Sequence, residues 1–169
     1  MIIANTPHDP ELSSKIWKAF KPTLNEKHGH SGSTGKRGED LAMQHFDKMS
    51  ATMNIKYAIS HEDCLNQLLG IDITLIHGDN TATFVDVKTG SSSLYWTQTE
   101  GWYITINPSW FRGLKKTEAI MQLGPKGDVY AYWRIDHMRE FLDKKMPSYL
   151  EQDVRLHKRH WPFFIVTNL

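Results

Sequence analysis

The 169 residues suit one domain with a sizeable core, and 40% hydrophobic with 23% charged residues is ordinary for a globular protein. A net charge of +1 gives no global basic field, so any nucleic-acid surface must be a local patch. The single cysteine, Cys64, excludes an intramolecular disulfide and fits a reducing compartment. With no signal-peptide core and no apolar run of membrane-spanning length, the chain reads as cytoplasmic with no membrane partner.

Met1–Pro10 has no clear period and reads as an extended lead-in. Glu11–Phe20 suits a short helix with Ile16, Trp17 and Phe20 inward, ended by Pro22. Lys21–Gly35 is rich in Gly, Ser, Asn and His and reads as a loop. Lys36–Ser50 is the best helix: Ser33 and Thr34 can cap it, Asp40 suits an early turn, and Ala42, His45, Phe46 and Met49 follow helical spacing. Glu39 falls on that same inward stripe. Ile55–Ser60 reads as a strand, and His61-Glu62-Asp63 as a polar turn.

Gly70–Lys88 is a β-hairpin. Ile71–His77 and Ala82–Val87 are rich in β-branched residues around the turn Gly78-Asp79-Asn80. Alternation puts Ile71, Ile73 and Leu75 on one face and Asp72 and Thr74 on the other; Phe84, Asp86 and Lys88 share a face opposite Val85 and Val87. A three-residue loop pairs His77 with Thr81 and Ile76 with Ala82, which sets Asp72 across from Asp86. Facing carboxylates repel unless positive charge sits between them. Lys88 supplies one charge, and clustered oxygen ligands suit Mg²⁺ or Mn²⁺ for the rest.

Thr89–Ser93 is a Gly/Ser loop, and Tyr95–Gly101 carries no single pattern. Trp102–Ile106 alternates as a strand. Pro108–Leu123 suits a helix weakened by Gly113, and Gly124-Pro125-Lys126-Gly127 breaks it. Asp128–Ile135 reads as a strand, and Asp136 caps a helix to Lys145. A basic run (Arg155, His157, Lys158, Arg159, His160) precedes a final short strand, Phe163–Thr167. The whole reads as one α/β domain, a mixed sheet flanked by helices, with an extension at 1–35, a core at 36–135 and appended elements at 136–169.

Glu39, Asp72, Asp86 and Lys88 form one candidate site, and phosphodiester hydrolysis is the chemistry that uses them. Carboxylates hold a cation that neutralises the scissile phosphate and acidifies a water; a lysine beside it orients or deprotonates that water, or stabilises developing negative charge. The Val87 carbonyl is a further candidate metal ligand. Bland readings stand beside these: Asp86 and Lys88 as a solvated ion pair on an exposed face, and Glu39 as an acid favoured by the helix dipole.

Gly70, Asp72 and the run Asp86-Val87-Lys88 resemble the PD-(D/E)xK nuclease superfamily. The helix with Gly35-Lys36-Arg37-Gly38-Glu39 resembles the one bearing the extra glutamate in its Holliday-junction-resolvase branch. The resemblance implies a restriction-endonuclease-like αβββαβ core and Mg²⁺-dependent endonuclease cleavage of DNA. Glu39, Asp72 and Asp86 would be metal ligands and Lys88 the catalytic lysine. It spans Lys36–Lys88, with Val129–Trp133 as the later core strand. Ile71 stands where proline is common before the aspartate, and the strand-like Trp102–Ile106 stands where the crossover helix would begin.

Lys36, Arg37, Lys115, Lys116 and the Arg155–His160 run are candidate phosphate contacts, and Trp96, Trp102 and Trp110 candidate stacking residues. Each is also an ordinary surface or core group. Gln98 before Trp102 faintly resembles a glutamine–aromatic motif of exonuclease-like members. His28, His30, His45 and His61 show no zinc spacing, and Cys64 has no base partner. The expected partner is DNA. An RNase or toxin-like nuclease on the same fold, or a non-catalytic nucleic-acid-binding module, is the alternative, and cutting two strands would suit a homodimer.

Overall fold

A computed structural model describes residues 1–6, 9–12, 14–15, 32–89, 94–112, 115–160 and 167–168, with the backbone alone at 32–35, 160, 167 and 168. Its elements are β1 (Ile2–Thr6), α1 (Gly32–Met49), β2 (Ile55–His61), α2 (Cys64–Leu68), β3 (Ile73–His77), β4 (Ala82–Lys88), β5 (Leu94–Thr97), β6 (Gly101–Ile106), β7 (Ala119–Leu123), β8 (Val129–Arg134), α3 (Ile135–Lys145), β9 (Val154–His157) and β10 (Thr167–Asn168). Ile16, Trp17 and Phe20 of the expected first helix, His28 and His30, and most of the expected last strand lie outside the described residues.

The fold is mixed α/β. A seven-stranded mixed sheet runs in the order β1-β2-β3-β4-β7-β8-β10, and β5-β6-β9 form a second, three-stranded sheet. Parallel pairs are β1/β2 and β4/β7; the remaining pairs are antiparallel. Each face of the large sheet has its own core. Ala42, Met43 and Phe46 of α1 pack on Ala58, Ile73, Leu75, Val85, Met121 and Tyr130. On the other face, Ile120, Ala131 and Trp133 meet Leu94, Ile104, Ile106 and Leu156 of the small sheet and Met138 and Leu142 of α3. Gln122 bonds the layers: it is fully buried, its Oε1 accepts from Trp133 Nε1 at 2.8 Å, and its Nε2 donates to Thr105 O at 3.3 Å. Among the described residues no helix is long and apolar enough to cross a membrane.

The hairpin has the expected register. His77 N–H donates to Thr81 O at 2.9 Å, and Ile76 pairs with Ala82, Leu75 with Thr83, Thr74 with Phe84 and Ile73 with Val85. Asn80, at φ 64°, takes the left-handed conformation that closes the three-residue loop.

Several expectations are corrected. Ile2–Thr6 of the extended lead-in pairs with β2 as a strand; both its faces stay open, so its sequence shows no alternation. The helix begins at Gly32 rather than Lys36, so residues 32–35 are not loop and Ser33 and Thr34 lie inside α1 instead of capping it. The turn after β2 holds a short helix, α2, capped by Asp63 Oδ1, which accepts from Asn66 N at 3.0 Å. The largest correction is the helix expected over Pro108–Leu123. Pro108–Phe111 is a 3₁₀ turn, and Ala119–Leu123 is a strand buried along its whole length. Its Ala, Met, Gln and Leu favour helix intrinsically. A central strand flanked by two others and covered on both faces overrides that preference and erases the alternating pattern.

Candidate active site

Asp72 and Asp86 lie at the open end of the hairpin, on the face away from α1. Val85 and Val87 pack toward α1, so alternation turns Asp86 and Lys88 to the opposite side. Asp72 sits one step before β3, where the ladder loosens: its N–H donates to Val85 O at 2.9 Å, and its carbonyl accepts from His61 N at 2.8 Å. Its carboxylate reaches across the strands, Oδ2 accepting from Val87 N at 2.7 Å. Burial and then the like charge of Asp86 push the Asp72 carboxyl well above the ordinary range, against the pull of Lys88 and the Val87 amide.

Asp86 is 3% exposed. Its Oδ1 accepts from Lys88 Nζ at 2.5 Å, while Oδ2 is buried without a hydrogen-bond partner. Lys115 Nζ stands 3.7 Å from Oδ2, beyond hydrogen-bond length. A buried ion pair of this kind is not the solvated surface pair offered as the bland reading of Asp86 and Lys88.

The sequence places Lys115 among the candidate phosphate contacts and carries no signal of its position beside Asp86. The segment that carries it is pinned to the residues leading into Asp72. Lys116 N donates to Leu69 O at 2.8 Å, and Thr117 Oγ1 donates to Gly70 O at 2.6 Å. The Lys115 stem lies against Gly70, where an added Cβ would come within 3.2 Å of Lys115 Cδ and 2.7 Å of Thr117 Oγ1. Gly70 also has φ +70°, which disfavours any side chain there. Burial lowers the Lys115 pKa, and Asp86 opposes that shift. Reading Ala119–Leu123 as a helix hid this arrangement; as a strand parallel to β4, it brings its lead-in beside the hairpin.

Glu39 approaches from the α1 face. Its carboxylate accepts from the Ser60 hydroxyl, and burial, then the charges of Glu62 and Asp40, raise its pKa to about 7. Ser60 shares a face with Ala58, which packs under α1, so Glu39 meets this end of the sheet from the α1 side. Its charge still raises the Asp72 pKa, as the weakest of the influences named there. Close contact with this end of the sheet comes through buried Gly38, where a Cβ would sit 2.5 Å from Thr89 Cγ2, just after Lys88. Since α1 starts at Gly32 and has no acid in its first turn, the helix-dipole account of Glu39 does not apply.

The structure therefore gathers Asp72, Asp86, Lys88 and Lys115 and leaves Glu39 adjacent. Among the described residues no three Asp, Glu, His or Cys side chains converge closely enough to hold a metal ion. The donor set is nevertheless of the kind a hard cation takes, with an unpartnered buried carboxylate oxygen beside a second carboxylate. Of the other candidates, Lys36 donates to Glu62 Oε1 at 2.9 Å, while Arg37 and Lys116 are exposed. His45 is a core residue, its Nε2 at 2.9 Å from Gly127 O. Trp110 is buried, Trp102 packs on the core beneath the small sheet, and Trp96 is exposed. No protein-family model, curated protein or solved structure matches the chain.

Proposed function

We propose that the protein is a metal-dependent endonuclease that hydrolyses phosphodiester bonds of DNA, on a core of the restriction-endonuclease-like kind. The order α1, β2, β3, β4 and then β7 parallel to β4 supports that core. The crossover between β4 and β7 departs from it by carrying the β5–β6 hairpin and a 3₁₀ turn. Such departures leave the function to rest on the site rather than the fold.

The observation that carries the reading is the buried Asp86, with Oδ2 lacking a hydrogen bond beside a second carboxylate of raised pKa. Asp72 and Asp86 would hold the cation, with Glu39 and the Val87 carbonyl as added donors. A bound Mg²⁺ or Mn²⁺ would supply positive charge at the scissile phosphate and lower the pKa of water there. The chain's own contribution is positional. The Val87 amide fixes the Asp72 carboxylate, and Asp86 Oδ1 holds the Lys88 ammonium at the site. There its N–H groups can orient an attacking water or hydrogen-bond to a developing negative oxygen.

The test is cleavage of plasmid, branched DNA and RNA, titrated with Mg²⁺ and Mn²⁺, by the wild type and Asp86→Ala. Metal-dependent cleavage lost in Asp86→Ala is the expected result, and equal activity in both proteins removes the assignment. Preference for RNA over both DNAs would transfer the same chemistry to an RNase. Absence of Mn²⁺ binding together with indifference of nucleic-acid binding to Lys88→Ala would point to a non-catalytic binding module.

A further inference from the structure

Lys115 holds a position that the proposed hydrolysis does not explain. Among the described residues it is one of two cations on Asp86, and the one that pairs with the oxygen lacking a hydrogen bond. Its stem is laid against Gly70 by the Thr117–Gly70 bond, so the ammonium is delivered to the carboxylate by the backbone rather than arriving from solvent. Its side chain is 32% exposed, which leaves it an outward path. Lys88, at 2.5 Å from Oδ1, holds the other oxygen more tightly.

From this arrangement we infer that Lys115 is a resident counter-ion that competes with the divalent cation for Asp86 Oδ2, so that loading the site exchanges one positive charge for another. The inference rests on the nuclease reading, since it takes Asp86 as a ligand. Asp86 is nearly closed to water, and a bare carboxylate there would be strongly disfavoured. An ammonium at 3.7 Å offsets part of that cost without a hydrogen bond to break. Displacing it costs less than displacing Lys88 would, and the Gly70 contact keeps it at hand to return when the cation leaves.

Mn²⁺ binding to the full chain without nucleic acid, read from the electron paramagnetic resonance signal of free Mn²⁺, tests the exchange. Lys115→Met should bind Mn²⁺ on the order of tenfold more tightly than the wild type. Lys116→Met, which removes the same charge from an exposed neighbour, should stay within about twofold. Lys115→Arg should restore wild-type affinity. A gain confined to Lys115→Met and Lys115→Gln and absent from Lys116→Met is an outcome that a merely structural lysine would not produce. Lys115→Gln serves as a second variant with the same expected direction should the methionine protein fail to fold. If the wild type binds Mn²⁺ through Asp86 while Lys115→Met and Lys115→Gln bind no more tightly, the counter-ion role is overturned and the nuclease reading stands. If neither the wild type nor any Lys115 variant binds Mn²⁺, both are overturned.

Discussion

The main-chain amide of Val87 donates to Asp72 Oδ2 at 2.7 Å, so the acidic ends of β3 and β4 are joined through a carboxylate as well as through the Asp72 N–H on Val85 O. The bond needs an acceptor and not a charge. Asp72→Asn keeps the acceptor and removes the repulsion from Asp86. We expect it to fold with equal or greater stability, by about 1 kcal/mol at pH 8, while metal-dependent cleavage falls at least ~100-fold. Urea unfolding and plasmid cleavage on the same preparation check both halves. The sign follows from linkage. A carboxyl whose pKa is raised on folding binds more protons in the folded state, so stability falls as pH climbs through the raised pKa. The variant should lack that fall.

Lys88→Met removes the partner at 2.5 Å from a buried carboxylate. The expected cost is about 2 kcal/mol of stability, below the range for a fully buried pair because the Lys88 side chain is 22% exposed. Cleavage should fall by roughly two to three orders of magnitude. The double variant Lys88→Met, Asp86→Asn should regain most of the stability and none of the cleavage. Thermal melts of the four proteins of this cycle decide whether the pair is coupled as its geometry requires.

Glu39 provides a separate pH signature. Its pKa rises from the model-compound value of 4.5 to about 7, chiefly by burial and then by Glu62. The folded state holds the proton through this interval while the unfolded state releases it, so the Glu39 contribution to stability is lost between about pH 4.5 and 7. Glu39→Gln should therefore match the wild type near pH 4 and exceed it at pH 8. The gain is about 1 kcal/mol, discounted because the side chain is partly open to solvent. Unfolding midpoints across that range provide the check.

Gly70→Ala should cost about 1–3 kcal/mol, because φ +70° disfavours a side chain and the new Cβ would meet Thr117 Oγ1 at 2.7 Å. Relief would come through movement of Thr117 and the Lys115 stem. The variant should thus shift Mn²⁺ affinity in the same direction as Lys115→Met, a comparison that calorimetric titration can make.

These residues differ in how much of their placement could be read from the chain. Asp72, Asp86 and Lys88 were legible because a hairpin is local: loop length sets the pairing, and the closing turn at Gly78-Asp79-Asn80 is written in residues that accept turn geometry. The inward stripe of α1 was legible for the same reason, since Ala42, His45 and Phe46 repeat at helical spacing and are buried. The helix start was not, because Gly32–Gly35 carries loop-forming residues on helical backbone. β7 was misread because its intrinsic preference is helical, and only its position between β4 and β8 makes it a strand. That error also concealed Lys115, whose proximity to Asp86 depends on a long connection with no local signature. Glu39 falls on the sheet-facing side of its helix as the spacing implies, but its bond to Ser60 depends on how α1 docks on β2, which has no local signature.

The two lysines on Asp86 differ in when they can arrive. Lys88 is two residues from Asp86 and comes with the hairpin, whereas Lys115 is delivered only when the chain has closed the loop between β4 and β7. Loops of that length close late compared with a hairpin. Compensation of the acidic pair is therefore half local and half dependent on the docking of β7, which completes both the sheet and the charge balance.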